Sequence, residues 1–212
     1  MQKRKRMSSN ERKKQIIEVA MKVFSKKGFQ GTKTKEIAKA AGISEAMIFK
    51  FFKNKDDLYS AIISSNVKDH SKEISDLQSK ISNLPRVLKE TILHVIDLYE
   101  KDPTFLRLML YSSLEEHRFA HIFVETHLSG EREAFVKAIE KGIKMGVYRK
   151  VNPKLAAQIF EYLIGGYCIE QFVLGKNKPL DKKEIAETMV DIFLNGLRKH
   201  NWNRISKQKG EI

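Results

Sequence analysis

Residues 34–53 of the chain read Thr34-Lys-Glu-Ile-Ala-Lys-Ala-Ala-Gly-Ile-Ser-Glu-Ala-Met-Ile-Phe-Lys-Phe-Phe-Lys53. The pattern predicts two short helices that meet at Gly42, because a positive φ is sterically easy only for glycine. Ser44 follows with a side chain that can cap the second helix. Small and apolar residues lock such a pair together, and here they are Ile37, Ala38, Ala41, Ile43 and Ile48. The stretch therefore predicts a helix-turn-helix motif over about residues 33–52.

Positive charge is concentrated in the same part of the chain. The 212 residues include 40 Lys and Arg against 26 Asp and Glu, which gives a formal net charge of +14. Residues 1–55 hold 16 basic and 4 acidic residues, a net charge of +12, and the rest of the chain contributes +2. Clustered basic residues displace the counterions of phosphate, so nucleic acid is the favoured partner. A membrane surface is the weaker alternative, and residues 3–6 alone also suit a solvated tail.

Helical periodicity recurs along the chain, and sustained two-residue alternation is nearly absent, so we predict an all-α fold. A first helix is expected from about Asn10 to Lys27, followed by the two short helices and a connecting helix from about Lys55 to Lys80. We assign residues 10–70 to an N-terminal DNA-binding domain with a three-helix core, and residues 71–200 to a larger C-terminal helical bundle.

Several classes of protein are disfavoured. The longest apolar run, Tyr162–Ile169, has eight residues, whereas a membrane-spanning helix needs about 20. Cys168 is the only cysteine, so no intrachain disulfide forms and a reducing cytoplasm is the expected location. Neither a phosphate-binding glycine loop nor a nucleophile–base motif is recognisable. We therefore expect no enzyme, no membrane partner and no cofactor.

The candidate DNA contacts follow from side-chain chemistry. Phosphate binding is assigned to Lys33, Lys50, Lys53 and Lys55, supported by the hydroxyl groups of Thr32, Thr34 and Ser44. Residues three and four apart share one face of a helix. The second helix should therefore present Glu45, Ala46, Phe49 and Lys50 outward, and base reading is assigned to Glu45, Ala46, Met47 and Lys50.

This joint pattern closely resembles the TetR family of bacterial transcriptional regulators over roughly residues 10–60. The residues that carry the resemblance are Ala20, Phe24, Gly28, Phe29, Thr32, Ile37, Ala38, Ala41, Gly42, Ile43, Ser44, Ile48, Phe49, Phe52, Asn54, Lys55 and Leu58. The resemblance implies phosphate contacts at Thr32 or Thr34 and at Lys55. It also implies that the C-terminal domain binds a ligand and mediates dimerisation.

Three residues depart from the family pattern. Phe49 stands where the family commonly has tyrosine, Phe51 where it often has histidine, and Lys33 where it tends to have threonine or serine. Phe49 therefore lacks the phenol that often binds phosphate, and we expect it to pack or to contact a thymine methyl group. Lys33 also leaves the first helix of the motif without an obvious capping side chain.

The last two helices are the predicted dimer interface. The helix from Pro153 to Leu174 is apolar around most of its circumference, which requires burial on several sides. The resemblance assigns these helices of each subunit to a four-helix interface in a homodimer. The residues predicted to form it are Ile159, Leu163, Gly166, Met189, Phe193 and Leu197. Tight packing within one chain is the alternative.

A ligand cavity is predicted from aromatic and apolar residues with hydroxyl tips, which is a common composition of small-molecule sites. The candidates are Phe105, Leu108, Met109, Tyr111, Phe123, Tyr162 and Tyr167. Residues of this kind at helical spacing also form an ordinary core.

The leading functional hypothesis is a homodimeric repressor that binds a palindromic operator and is released by a small apolar or amphipathic ligand. The alternatives are a DNA-binding regulator controlled by a protein partner or by no effector, and a metal-dependent enzyme. The metal hypothesis uses His117 and His121, four residues apart, with Glu116, Glu125 and His127 nearby. A solvated helical face is the favoured interpretation there, and we assign no metal site.

Overall fold

The computed structural model describes residues 7–66, 83–117, 132–175 and 180–198. Its helices are α1 (Ser9–Lys27), α2 (Thr34–Ala41), α3 (Glu45–Phe51), α4 (55–66), α5 (Leu84–Lys101), α6 (Thr104–Leu114), α7 (132–144), α8 (Pro153–Cys168) and α9 (Lys182–Leu197). One π-helical turn, Ile169–Val173, continues α8. Within these ranges no β-strand forms, and an isolated bridge joins Tyr148 to Arg198. The all-α prediction is confirmed, and the predicted end of the connecting helix near Lys80 lies outside the described residues.

Helix α1 begins and ends at local sequence signals. The Ser8 hydroxyl accepts a hydrogen bond from the Glu11 N–H at 3.2 Å, and the Glu11 carboxylate accepts from the Ser8 N–H at 2.7 Å. This reciprocal capping box starts the helix one residue before the predicted Asn10. The helix stops at Gly28, whose φ of 73° and extended ψ favour glycine.

The turn between α2 and α3 has the predicted geometry. Gly42 is left-handed, with a φ of 66° and a ψ of 34°. Its N–H donates to the Lys39 carbonyl at 3.2 Å, and the Ile43 N–H donates to the Ala38 carbonyl at 3.0 Å. These two hydrogen bonds form a Schellman motif, which satisfies the last carbonyls of α2 and turns the chain toward α3.

Among the described residues, 7–66 and 98–117 form one compact unit, and 83–97, 132–175 and 180–198 form a second. We call them unit 1 and unit 2. The division differs from a single boundary at residue 70, because Phe105 and Leu108 of α6 are buried in the core of unit 1. The domain ranges 10–70 and 71–200 stay a prediction.

An aromatic cluster lies in the core of unit 1. The Phe24 and Tyr59 rings meet edge to face with centroids 4.9 Å apart, and Phe29 meets Tyr59 in the same way at 5.2 Å. Ile37 of α2 and Ile48 of α3 are fully buried in the same core. Each helix of the motif is thus fixed to the unit by apolar side chains on its inner face.

Unit 2 consists of α5, α7, α8 and α9 around a second apolar core. Helices α8 and α9 begin at side-chain caps, since the Asn152 side chain accepts from the Lys154 N–H at 3.0 Å and Asp181 accepts from the Lys183 N–H at 2.8 Å. A partly buried ion pair joins α7 to α8, with the Arg132 Nε donating to Glu161 at 3.0 Å. The paired carboxylate raises the pKa of Arg132.

Replacement of Ile48 tests the packing of α3. Ile48→Ala should lower the free energy of unfolding by about 2–5 kcal/mol, because it leaves a cavity at a fully buried position. Met47→Ala on the same helix is the control and should change stability by no more than about 0.5 kcal/mol, since Met47 is 36% exposed. Urea denaturation followed by circular dichroism measures both values. Equal stability of the two variants would contradict the described burial of Ile48.

Candidate nucleic-acid interface

Helix α3 is held so that one face packs inward and the other is exposed. The Ser44 hydroxyl accepts from the Met47 N–H at 3.3 Å and caps the helix. Ile48 is fully buried, whereas Phe49 is 47% exposed. Four of the predicted contact residues lie together on the exposed surface of this helix, and they are Ala46, Met47, Phe49 and Lys50. The exposed surface suits the major groove of DNA, which is wide enough to admit one α-helix.

Glu45 and Thr34 contact each other. Thr34 begins α2 and Glu45 begins α3, and the Thr34 hydroxyl donates a hydrogen bond to the Glu45 carboxylate. This bond ties together the first turns of the two helices. Glu45 therefore already has one partner within the chain, and any contact with a base must use its remaining acceptor capacity.

The start of α2 presents Lys33 to solvent. Lys33 has an extended backbone and provides no side-chain cap, as its departure from the family pattern suggests. The Glu36 carboxylate supplies the missing local contact by accepting from the Lys33 N–H at 3.2 Å. The pKa of Glu36 lies below its ordinary value, mainly because Lys27 donates to the same carboxylate. Lys53 is also exposed, beyond the end of α3.

Thr32 and Lys55 have internal partners. Thr32 is buried, and its hydroxyl donates to the Gly28 carbonyl at 2.7 Å. The Lys55 ammonium donates to the carbonyls of Phe29 at 2.8 Å and of Thr32 at 3.1 Å, and it lies 4.2 Å from the centre of the Phe29 ring. Direct phosphate contact stays a prediction for both residues. Their contacts in this structure hold the turn between α1 and α2.

Two short helices joined by a left-handed glycine turn, packed on an apolar core and presenting exposed lysines, define a helix-turn-helix DNA-binding protein. The family follows from the comparison with known sequences. Residues 16–62 match the model of bacterial regulatory proteins of the tetR family, and residues 87–196 match the C-terminal domain of AefR-like transcriptional repressors. The chain belongs to the TetR family and is a DNA-binding transcriptional regulator.

Individual relatives are similar over nearly the whole chain. YvkB of Bacillus subtilis, an uncharacterized HTH-type transcriptional regulator, is 26% identical over 87% of this chain and 96% of that protein. The fatty acid degradation regulator FadR of Bacillus halodurans shares the fold with a TM-score of 0.74 and 17% identity, over 92% of this chain and 100% of that one. AibR, solved with isovaleryl coenzyme A and operator DNA, has a TM-score of 0.70 and 21% identity, over 86% of this chain and 97% of that one.

The predicted ligand residues do not share one environment. Phe105 and Leu108 are buried in the core of unit 1, and Met109 packs against that core. The Tyr111 hydroxyl, also in unit 1, donates to the Lys26 carbonyl at 3.2 Å. The three remaining candidates are an exposed Tyr162 and a half-buried Tyr167, both on α8 of unit 2, and Phe123, which lies outside the described residues. Ligand contact stays a prediction for the set, and packing accounts for its unit 1 members.

The predicted dimer residues lie on α8 and α9 of unit 2. Ile159 and Leu163 are 46% and 38% exposed, and Gly166 is exposed as well. Met189 is half-buried. Phe193 and Leu197 are buried within the unit and line the floor of the groove between α8 and α9.

His117, one of the two histidines in the metal hypothesis, and Cys168, the single cysteine, are both buried. The His117 ring lies 4.3 Å from the Phe29 ring, and its Nε2 is 3.5 Å from the Asp56 carboxylate. No group of three potential metal ligands occurs within the described ranges, while His121, Glu125 and His127 lie outside them. Burial raises the pKa of the Cys168 thiol to about 12, so that thiol stays protonated and unreactive at neutral pH.

Of the helices that the structure describes, none could cross a membrane.

Glu115 contacts the turn that precedes the helix-turn-helix motif, and the sequence did not reveal this contact. It follows α6 and binds the backbone of Phe29 and Gln30 through its carboxylate. The contact joins residues 85 and 86 positions apart, and no local spacing rule connects them. Only the packing of α6 against α1 brings them together.

Substitution of Lys50 and substitution of Lys55 should have different effects on the stability of the protein. Lys50→Ala should weaken DNA binding, reduce the slope of log K against log salt by about one, and leave stability unchanged, because an exposed lysine acts through phosphate. Lys55→Met should also lower the free energy of unfolding, by about 1–3 kcal/mol, since its ammonium binds two backbone carbonyls. Fluorescence anisotropy across a salt series and urea denaturation measure these effects. A Lys55→Met variant as stable as the parent would contradict the second expectation.

Proposed function

We propose that this regulator is a homodimeric repressor that binds a palindromic operator and is released by a small apolar or amphipathic ligand. The observation that carries the proposal is an exposed apolar face on the last two helices. We call it the α8–α9 face, and it comprises Leu155, Ile159, Tyr162, Leu163, Gly166, Met189, Ile192 and Gly196.

The spacing of these residues makes the face continuous. Leu155, Ile159 and Leu163 follow one another at intervals of four along α8, and they are 52%, 46% and 38% exposed. Ile192 on α9 is 63% exposed and lines the same groove as these residues. Contiguous exposed apolar surface of this kind marks interfaces in proteins that do not span membranes. A second copy of the chain can bury it, because the same two helices from each subunit form a self-complementary contact.

A dimer explains how a helix of seven residues could give specific binding. One short helix contacts only a few base edges, whereas two copies related by a two-fold axis read two half-sites at once. The half-sites must then lie about one helical turn apart, roughly 34–36 Å, and form a palindrome. Joining two such contacts raises the apparent affinity by roughly 10²–10⁴.

The core of unit 2 indicates where a ligand would act. An apolar seam runs between α5, α7, α8 and α9, and its lining residues are Leu84, Leu88, Phe135, Ile139, Ala157, Phe160 and Phe193. The seam is too narrow for a water molecule as described. A ligand would therefore have to part the helices, and it would favour a conformation that differs from the one described here. If the ligand binds that conformation more tightly than the described one, it lowers the operator affinity by an amount set by the ratio of its two affinities.

The AibR structure supports a coenzyme A thioester as the first effector to test. That relative, solved with isovaleryl coenzyme A and operator DNA, shares the fold of this chain. An acyl chain suits the apolar seam, because every residue that lines it is hydrophobic.

A second candidate is a regulator that responds to a protein partner or to no effector. The tightness of the same seam favours it, since the seam as described leaves no room for a ligand between the helices. Under this hypothesis the protein would bind its operator equally well with and without acyl thioesters.

A selection experiment tests both candidates. The purified protein is mixed with a random pool of duplex DNA, and the bound sequences should converge on a palindrome. The selected duplex is then titrated in the presence of isovaleryl coenzyme A, longer acyl thioesters, or free coenzyme A as the control. Release by an acyl thioester alone supports the leading proposal, and indifference to all of them supports the second candidate. No enrichment of any sequence would contradict both.

A charge on the α8–α9 face should prevent dimerisation. Ile159→Arg is expected to give a monomer in sedimentation velocity and to weaken operator binding by roughly 10²-fold or more, because the linked second contact is lost. Met145→Arg is the matched control, since Met145 is also exposed but lies in the turn after α7. The control should stay dimeric. A monomeric parent protein, or a dimeric Ile159→Arg variant, would show that this face is not the interface.

A further inference from the structure

We propose that Glu115 is a positioning residue for DNA binding: its carboxylate fixes the turn from which the phosphate-binding start of α2 projects. The inference deepens the proposed function and rests on it, because it concerns how the DNA-contacting residues are held. Glu115 itself is acidic and binds the protein backbone, so it has no direct role toward phosphate.

The Glu115 carboxylate binds the turn between α1 and α2, residues 28–33, which we call the α1–α2 turn. One oxygen accepts from the Phe29 N–H at 2.8 Å, and the other accepts from the Gln30 N–H at 3.1 Å. Gly28 makes this approach possible, because a Cβ atom there would overlap the Glu115 carboxylate. The positive φ of Gly28 independently disfavours any other residue. The turn is therefore shaped to receive a carboxylate on its N–H groups.

A lysine binds the opposite polar groups of the same turn. The Lys55 ammonium donates hydrogen bonds to the carbonyls of Phe29 and Thr32, at 2.8 and 3.1 Å. Glu115 and Lys55 thus hold the turn from both sides, one through its N–H groups and the other through its carbonyls. Hydrogen bonds with a charged partner are roughly twice as strong as neutral ones.

Two neighbours of Glu115 reinforce the contact. The Tyr111 hydroxyl donates to the Lys26 carbonyl at 3.2 Å, on the last turn of α1. The His117 ring packs 4.3 Å from the Phe29 ring and 5.1 Å from the Tyr59 ring. The C-terminal end of α6 therefore contacts the end of α1 and the α1–α2 turn through three side chains.

The position of the turn matters because the chain enters α2 directly from it. Lys33 and Thr34 follow the bound carbonyl of Thr32, and Lys33 contributes no side-chain cap to fix the start of the helix. The orientation of these first residues toward phosphate hence depends on the contacts that hold the turn. Loss of the Glu115 contact should allow the turn to move and should weaken the phosphate contacts of Lys33 and Thr34.

Electrostatics alone predicts that neutralising Glu115 strengthens DNA binding, which is the opposite effect. Removal of a negative charge from a DNA-binding protein strengthens its attraction to phosphate. A loss of affinity on neutralising Glu115 would therefore report its positioning role rather than its charge.

The test compares Glu115→Gln with Glu116→Gln in the full-length protein. Both remove one negative charge, at adjacent positions, and Glu116 is exposed. The probe is a duplex that the parent protein selects from a random pool, and the dissociation constant is measured across a potassium chloride series. Amide hydrogen exchange of Phe29 and Gln30 is followed in the same variants.

For Glu115→Gln we expect about tenfold weaker binding at fixed salt, a salt slope smaller by about one, and faster exchange at Phe29 and Gln30. For Glu116→Gln we expect binding within about twofold of the parent, or slightly tighter, with an unchanged slope. A merely structural effect would lower the folded fraction without changing the slope. If Glu115→Gln fails to fold, Tyr111→Phe removes one hydrogen bond from the same end of α6 and should give a smaller loss of the same sign.

The inference is overturned if Glu115→Gln matches Glu116→Gln in affinity and slope, or if its loss of affinity leaves the slope unchanged. In either case the parent protein still binds the selected duplex, so the proposed function stands. A parent protein that selects no duplex would instead remove the proposed function itself.

Discussion

The two helices of the helix-turn-helix motif are too short to be stable alone. Helix α2 has eight residues and α3 has seven, whereas isolated helices shorter than about 12–15 residues are marginal in water. Burial of Ile37 and Ile48 against the aromatic core of unit 1 supplies the missing stability. The exposed side chains of α3 have a defined direction only because this inner face is fixed. Recognition of DNA by this protein thus depends on apolar packing beneath the helices that present the polar groups.

The core of unit 1 also explains why α6 belongs with the N-terminal helices. Phe105 and Leu108 extend the same cluster that contains Phe24 and Tyr59, so the end of α6 is brought to the α1–α2 turn. A carboxylate and an ammonium then bind the exposed backbone groups of that turn. Polar contacts at the surface complete what the apolar core begins.

The two units present opposite surface chemistry. Unit 1 exposes Lys33 at the start of α2 and Lys50 and Lys53 at the end of α3, which suits a polyanion. Unit 2 exposes an apolar face on α8 and α9, which suits another protein surface. The sequence places these surfaces in different parts of the chain, with most of the net positive charge in the first 55 residues and the apolar face on the last two helices.

The sequence by itself determined the all-α class, the helix-turn-helix and the family, because the signals for them are local. Gly42 and Ser44 act within a few residues, and the predicted geometry is present at both. The capping box at Ser8, which the structure revealed, is equally local. The apolar spacing likewise placed Ile48 inward and Lys50 outward. The tertiary structure alone decided how Thr32 and Lys55 use their polar groups, which unit buries Phe105, and what Glu115 binds. Each of these depends on partners that are distant in the sequence, or on backbone groups of a turn, which a helical spacing rule does not cover. The packing of α6 and α4 against α1 is what brings such groups within hydrogen-bonding distance.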